Sequence, residues 1–127
     1  MIELEGDDFS AGDVVAGRLA SRPECGAGEE VTVWLVWRVI ASRIELLTPL
    51  RVDTDYCIVD ARPLPADGRH FEFRIPKGGP LTYDGKLFDV VWEVVAGTTS
   101  GRSRVSVAAH RILRVRARAA APLFGAA

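Results

Sequence analysis

The chain of 127 residues is predicted to fold as an all-β, antiparallel β-sandwich of about seven to nine strands. Apolar and polar residues alternate with a period of two along most of the chain, as they do in strands that bury one face. Clusters of glycine, proline and aspartate interrupt the alternation every ~10–15 residues, which is typical of a sandwich or a barrel. No stretch between these clusters has the periodicity of an amphipathic helix.

The predicted strands follow these alternating runs. Residues 31–40 give a long run, because Val31, Val33 and Leu35 all point to one side of a strand while the opposite side is mixed. The turn clusters that separate the runs are rich in residues that favour turns over strand interiors. In chain order, the predicted strands are residues 2–5, 13–20, 31–40, 44–52, 56–62, 69–75, 87–96, 102–109 and 112–118.

The apolar faces of the clearest strands are the predicted core. We expect Trp92 and Phe73 to be nearly fully buried, because both lie on consistently apolar faces. The predicted core residues are Val31, Val33, Leu35, Trp37, Val39, Phe71, Phe73, Ile75, Phe88, Val90, Trp92, Val94, Ala96, Val105, Val107, Ala109, Leu113, Val115 and Ala117.

The length and composition fit one soluble domain, with 48% apolar and 26% charged residues. We expect the sandwich to span residues 1–118 and a flexible tail to span 119–127, where no periodic pattern remains. The apolar stretch 31–41 is interrupted by Thr32 and Arg38 and is shorter than the ~20 residues of a membrane-spanning helix. The acidic N-terminus is unlike a signal peptide, which predicts a cytoplasmic location.

A more specific pattern lies in residues 71–96. A strand that ends in an apolar residue and a proline leads to a Pro-x-Thr-Tyr-x-Gly sequence and then to a strand with a central tryptophan. This segment resembles the amino-terminal-type domain of the arrestin-like superfamily, and residues 9–19 resemble an early strand of the same domain. The matching residues of the first segment are Phe73, Ile75, Pro76, Pro80, Thr82, Tyr83, Gly85 and Trp92.

The resemblance implies an immunoglobulin-like sandwich and, in a chain with the length of one lobe, a small bacterial-type single-domain member. It implies a protein-interaction role more than a catalytic one, although the Pro-Pro-x-Tyr motif of arrestin-related adaptors is absent from the sequence. Within the motif, we expect Tyr83 to bury its ring and Asp84-Gly85 to form a turn with a positive φ.

No catalytic signature or cofactor motif is present, so the sequence predicts a protein that is not an enzyme. His70 and His110 are predicted to lie on the surface, and Cys25 and Cys57 to be reduced thiols without the spacing of a zinc site. We therefore expect no bound metal. The acidic residues of Asp53-Thr-Asp55 favour a solvated turn over a calcium loop, because the further ligands of such a loop are missing.

The mixed face of residues 31–40 is the predicted interface. Trp34, Val36 and Ile40 form an apolar row there, which fits a protein partner or a homodimer formed through exposed side chains or a strand edge. A small-ligand-binding or enzymatic role is the first alternative to this protein-interaction or scaffold function.

A second alternative is the binding of an anion or a nucleic acid by arginines near the C-terminus. If residues 102–109 and 112–118 pair as a hairpin, their arginines share one surface. We favour pairing of these arginines with the acids of residues 3–8 and 29–30, because the net charge is −1. The candidate anion patch consists of Arg102, Arg104, Arg114, Arg116 and Arg118.

Overall fold

The computed structural model describes residues 1–45, 48–100 and 104–118, which form nine strands and no helix. The strands are β1 (Ile2–Leu4), β2 (Asp8–Ser10), β3 (Val14–Leu19), β4 (Glu29–Glu45), β5 (Thr48–Pro63), β6 (His70–Arg74), β7 (Tyr83–Asp84), β8 (Phe88–Ser100) and β9 (Arg104–Arg116). None of these residues belongs to a helix that could cross a membrane. The tail predicted over 119–127 and Arg102 lie outside the described residues.

The strands form two sheets. The smaller has the order β1-β3-β6, and the larger has the order β2-β9-β8-β4-β5, with β7 also paired to β8. In the described part of the chain all neighbours are antiparallel except β2 and β9, which run parallel. Residues 5–7 carry the chain from the smaller sheet into the larger one, where β2 lies beside β9. The predicted all-β sandwich is confirmed, with this parallel pair as a difference.

The core lies between the two sheets and confirms most of the predicted strand faces. Trp92 and Phe73 are buried as expected, while Trp37 and Val39 are partly buried against the edge of the core. The core residues are Ile2, Val15, Leu19, Phe71, Phe73 and Ile75 from the smaller sheet and its ends, Val31, Val33, Leu35, Val90, Trp92, Val94, Ala96, Leu113 and Val115 from the larger sheet, and Leu64.

Strand β9 is continuous where the sequence predicts two strands, 102–109 and 112–118. Ala96 pairs with Ala109 and Gly97 pairs with Val107, so Ala108 is an extra residue that forms a β-bulge. The bulge reverses the alternation, and Val105 and Val107 point away from the core and are exposed. The prediction that these two valines are core residues was therefore wrong. Phe88 and Ala117, at the ends of their runs, are exposed as well.

Strand β5 also joins two predicted strands, 44–52 and 56–62. The segment Asp53-Thr-Asp55, predicted as a turn, belongs to this continuous strand. Register shifts between Leu35 and Val36 and between Val39 and Ile40 allow β4 and β5 to stay paired along their length. Such irregularities absorb a change of phase within a strand, so no turn is needed there.

The Pro-x-Thr-Tyr-x-Gly segment holds the buried tryptophan in place. The indole Nε1–H of Trp92 donates a hydrogen bond to the carbonyl of Pro80 (2.9 Å). Thr82 is attached to β9 twice, because its N–H donates to the Val115 carbonyl (2.8 Å) and its Oγ1 accepts from the Val115 N–H (2.7 Å). The segment therefore closes the end of the sandwich between β8 and β9.

Two expectations about this segment were wrong. Tyr83 does not bury its ring; the ring is half exposed and packs on Phe88, with the ring centres 4.9 Å apart. Gly85 does not have a positive φ, which among the described glycines occurs at Gly12 and Gly28. A Cβ atom at Gly85 would lie 2.2 Å from the Tyr83 ring, so glycine is needed there for space.

We expect Trp92→Ala to lower the free energy of unfolding by about 3–5 kcal/mol, because it leaves a large cavity in the core. Trp92→Phe keeps a ring in the core but loses the hydrogen bond to Pro80, so its loss is expected to be smaller. Urea unfolding followed by tryptophan fluorescence and circular dichroism measures both. An unchanged midpoint for Trp92→Ala would contradict the central position of this side chain.

Candidate interface on the six-stranded sheet

The side of the larger sheet that faces away from the core is called the outer face. Residues paired across neighbouring antiparallel strands project to the same side of a sheet, so the register defines this face. Its central residues, row by row across β9, β8, β4 and β5, are His110, Val95, Trp34 and Ala61, and then Ile112, Glu93, Val36 and Ile58.

Trp34 and Val36 lie on the outer face, as the sequence predicts, but they offer little surface to a partner. Together with Val95 and Ala61 they form a second apolar cluster, in which Trp34 is 9% exposed and Val36 0%. Ile40 is half-buried farther along β4. The expectation that Trp34 and Val36 are exposed anchors was wrong, because side chains of the neighbouring strands cover them.

The exposed apolar surface of the outer face comes from its flanking strands. Ile58 on β5 and Val105, Val107 and Ile112 on β9 expose between 54% and 60% of their area. The exposure of Val105 and Val107 could not be predicted from alternation, because the bulge at Ala108 reverses the side to which they point. The exposure of Ile58 and Ile112 on this face could not be predicted either, because the sequence does not show which strands pair with theirs. The face therefore has a buried apolar centre and exposed aliphatic flanks.

A buried carboxylate lies in this apolar surface. The Glu93 side chain is 8% exposed, and its Oε1 lies 3.2 Å from Nε of Arg38, while its Oε2 lies 3.2 Å from Nδ1 of His110. An ionised carboxylate out of water is costly unless a cation such as Arg38 compensates it, and Arg38 and His110 reach this carboxylate from strands on either side of β8. The sequence marked Glu93 only as a polar position of its strand.

The arginines of β9 do not form the predicted patch. Because β9 is one strand, Arg104 and Arg114 are separated along it by ~33 Å and cannot meet in a hairpin. Toward the end of the described chain, Arg111 pairs with Asp7 (2.6 Å), Arg116 with Asp8 (3.3 Å), and Arg118 with Asp13.

The predicted pairing of C-terminal arginines with N-terminal acids is thus confirmed for Arg116 and Asp8, whereas Asp7 pairs with Arg111, which lies outside the predicted patch. The parallel pairing of β2 with β9 brings these acids to the arginines. Glu29 pairs with Ser100 at the far end of β8, where the side chains of Arg102 and Arg104 lie outside the described part of the structure, whereas Glu3 is bonded to Arg18 (2.7 Å). Arg114 is exposed, and its backbone N–H donates to the Asp7 carbonyl.

An open groove of about 590 Å³ lies over the smaller sheet. Its floor contains Ala16 and Gly17, and its walls include Glu5, His70 and Glu72. Among the described residues, no group of three or more His, Cys, Asp or Glu side chains could hold a metal ion. Cys25 is exposed and Cys57 half-buried, and both are free thiols. The lining of the groove is mixed, because Leu4 and Phe71 also contribute to it.

Comparison with known proteins supports the fold. No protein-family model and no curated protein sequence matches the chain. Among solved structures, it resembles Spo0M, a sporulation control protein from Bacillus subtilis, with a TM-score of 0.56 and 18% sequence identity. The match covers 93% of this chain and 49% of Spo0M, so the chain spans about half the length of that protein. The likeness shows an arrestin-like fold, as the segment 71–96 implies.

We expect Arg38→Met to lower the free energy of unfolding by about 1–3 kcal/mol, because it removes the guanidinium beside a buried carboxylate. The double variant Arg38→Met/Glu93→Leu is expected to recover most of this loss, since it removes the buried charge too. Arg18→Met, which breaks an exposed ion pair, is the matched control and should cost less than ~1 kcal/mol. Urea unfolding measures all three, and equal losses for Arg38→Met and Arg18→Met would contradict the burial argument.

We expect no micromolar binding of a DNA or RNA oligonucleotide at about 0.1 M salt, because acids already pair with several arginines near the C-terminus. Fluorescence anisotropy with a labelled single strand and a labelled duplex measures this. Micromolar binding that weakens steeply with added salt, and that is lost in Arg114→Ser, would instead support the arginines as a nucleic-acid site.

Proposed function

We propose that the chain is a non-catalytic protein-interaction domain that binds a protein partner through the outer face of its six-stranded sheet. The observation that carries this proposal is the combination on one face of exposed aliphatic side chains with a desolvated ion-pair centre. Ile58 and Ile112 lie at the two ends of the row that contains Glu93. The side chains of Arg38 and His110 reach the Glu93 carboxylate.

This combination resembles the composition of protein interfaces. Such interfaces have an apolar centre with few charges, to which arginine is a frequent exception, and a polar rim. Four aliphatic residues of the outer face, Ile58, Val105, Val107 and Ile112, expose more than half of their area, with Ile58 on β5 and the other three on β9. Exposed apolar side chains on one face of a protein often mark a site of interaction. A partner that covers these side chains would remove that area from water.

The remaining features of the described surface favour binding over catalysis. The carboxylate of Glu93 lies between the Arg38 guanidinium and the His110 imidazole below the surface of a sheet, and the groove over the smaller sheet is open to solvent. Spo0M, which shares the fold, is described as a sporulation control protein. A regulatory adaptor role for the present chain agrees with that description.

The double variant Ile58→Lys/Ile112→Lys tests the proposal, because it places charges on the outer face without touching the core. The control Val14→Lys/Leu87→Lys alters two exposed apolar residues elsewhere. Partners captured from the native host are identified by mass spectrometry, purified, and titrated against each variant by calorimetry. We expect the outer-face variant to weaken the affinity at least about tenfold and the control to leave it unchanged.

Two results would contradict the proposal. One is a purified partner that binds the wild type and the outer-face variant equally well. The other is a loss of binding in the Val14→Lys/Leu87→Lys control, which would place the interface on another surface. Circular dichroism of each variant establishes that the lost affinity is not a loss of fold.

A further inference from the structure

The edge of β9 ahead of the bulge is open on the side away from β8. Within the described residues, β2 pairs with β9 only from Arg114 to Arg116, and no strand of either sheet pairs with that side before Arg114. Val105, Ser106, Val107 and Ala108 are all exposed, so this part of the strand is accessible from both faces as well as from its edge. An open edge presents unpaired backbone N–H and C=O groups to another strand.

From Val105 to Val107, this edge lacks the charged side chains and prolines that usually protect an open edge. Soluble proteins block open edges with charged side chains, prolines or bulges. The segment from Val105 to Ala109 contains no charged residue and no proline, and both valines are β-branched residues that favour strands. The bulge at Ala108 follows the first residues of the strand in the sequence, so Arg104 to Val107 pair regularly with β8.

The opposite edge of the same sheet shows the contrast. On β5, the Asp60 carboxylate accepts a hydrogen bond from the Ala61 N–H (2.9 Å) and pairs with Arg62 (2.8 Å). Pro63, at the end of that strand, has no N–H to donate. Charge and proline therefore block the β5 edge, while the β9 edge is left available.

We propose that a second copy of this chain pairs with the β9 edge, antiparallel to it, with the twofold axis passing close to Ser106. The two larger sheets would then form one continuous sheet across the dimer. This inference shares Val105 and Val107 with the outer face, but it rests on the open backbone edge of β9, whereas Ile58 and Ile112 test the proposed partner site separately.

The sequence of the edge is complementary to itself in this register. Val105 of one copy lies opposite Val107 of the other, and both valines point to the outer face, so four valines gather there. Each Ser106 lies opposite its symmetry mate. The two Arg104 positions are ~14 Å apart along the strands, which avoids direct repulsion between them. A twofold pairing also closes the edge, because each copy pairs the same segment of β9 with that of the other.

The bulge limits the length of the ladder. Beyond Ala108 the strand has changed phase, so a longer antiparallel register would place core-facing residues opposite outward-facing ones. Pairing is therefore confined to about five residues in each copy, a short ladder by the standard of ordinary strands. The dimer is accordingly expected to be weak and to depend on concentration.

The first experiment measures the mass of the full chain by light scattering and sedimentation across a range of concentrations. We expect the mass to rise from 13.8 kDa toward twice that value. Val105→Lys/Val107→Lys is expected to raise the dimer dissociation constant at least about tenfold, because the symmetry places new like charges opposite each other. Mixing it with Val105→Glu/Val107→Glu is expected to restore dimers, which would exclude a failure to fold.

The second experiment locates the axis. In a Cys25→Ser/Cys57→Ala background, Ser106→Cys is expected to form an intermolecular disulfide with oxidised glutathione, because directly opposed strand residues lie within the distance that a disulfide spans. Ala61→Cys, on the β5 edge, is the matched control and is expected not to link. A dimer linked through Ala61→Cys but not through Ser106→Cys would overturn the proposal.

A chain that stays monomeric at all concentrations would also overturn it. That result would leave the proposed partner site intact, since Ile58→Lys/Ile112→Lys tests the outer face separately. If instead this outer-face variant abolishes dimers and the charged pairs at Val105 and Val107 do not, the two copies meet through the outer face, and the β9 edge proposal is wrong.

Discussion

The need to satisfy one buried polar group organises one end of this sandwich. The Trp92 indole fills the core, yet its N–H must find an acceptor there, and the Pro80 carbonyl supplies it. This bond fixes the segment that links β6 to β8, and Thr82 then attaches the same segment to β9. Gly79 fits closely in the same segment, because a Cβ there would lie 3.2 Å from Cγ of Pro76, which is tighter than most Cβ contacts. The motif of residues 71–96 is thus a structural device around one side chain.

The strand faces were predictable wherever a strand keeps a single phase. Alternation alone identified the buried sides of β4, β6 and the middle of β8, because each of these buries one face against a common core. It failed at β9, where one inserted alanine exchanges the two faces. Nothing in the local composition distinguishes Ala108 from Ala109, since the bulge depends on which residue of β8 each one pairs with. The predicted length of β5 was wrong for a similar reason, because its pairing with β4 continues through register shifts where a turn was expected.

The candidate interface was predictable in position but not in detail. The phase of residues 31–40 placed Trp34 and Val36 on the correct face, whereas their burial depends on neighbours contributed by β5 and β8. The Glu93 centre brings together residues separated by long stretches of sequence, so no spacing rule could have found it. The acids of β2 were matched to arginines of β9 by charge alone. The parallel direction of that pairing, however, follows from how the chain crosses between sheets.

The pairing of β2 with β9 also affects the order in which the molecule can fold. Residues 8–10 are synthesised long before their partners, residues 114–116. The larger sheet can therefore close only after nearly the whole described chain is present, and closing so long a loop costs entropy before the contact is gained. Proteins dominated by such distant pairings fold slowly. Until β9 arrives, the edge of β8 that it will cover stays open, and the nascent chain has to be protected from other strands during that interval.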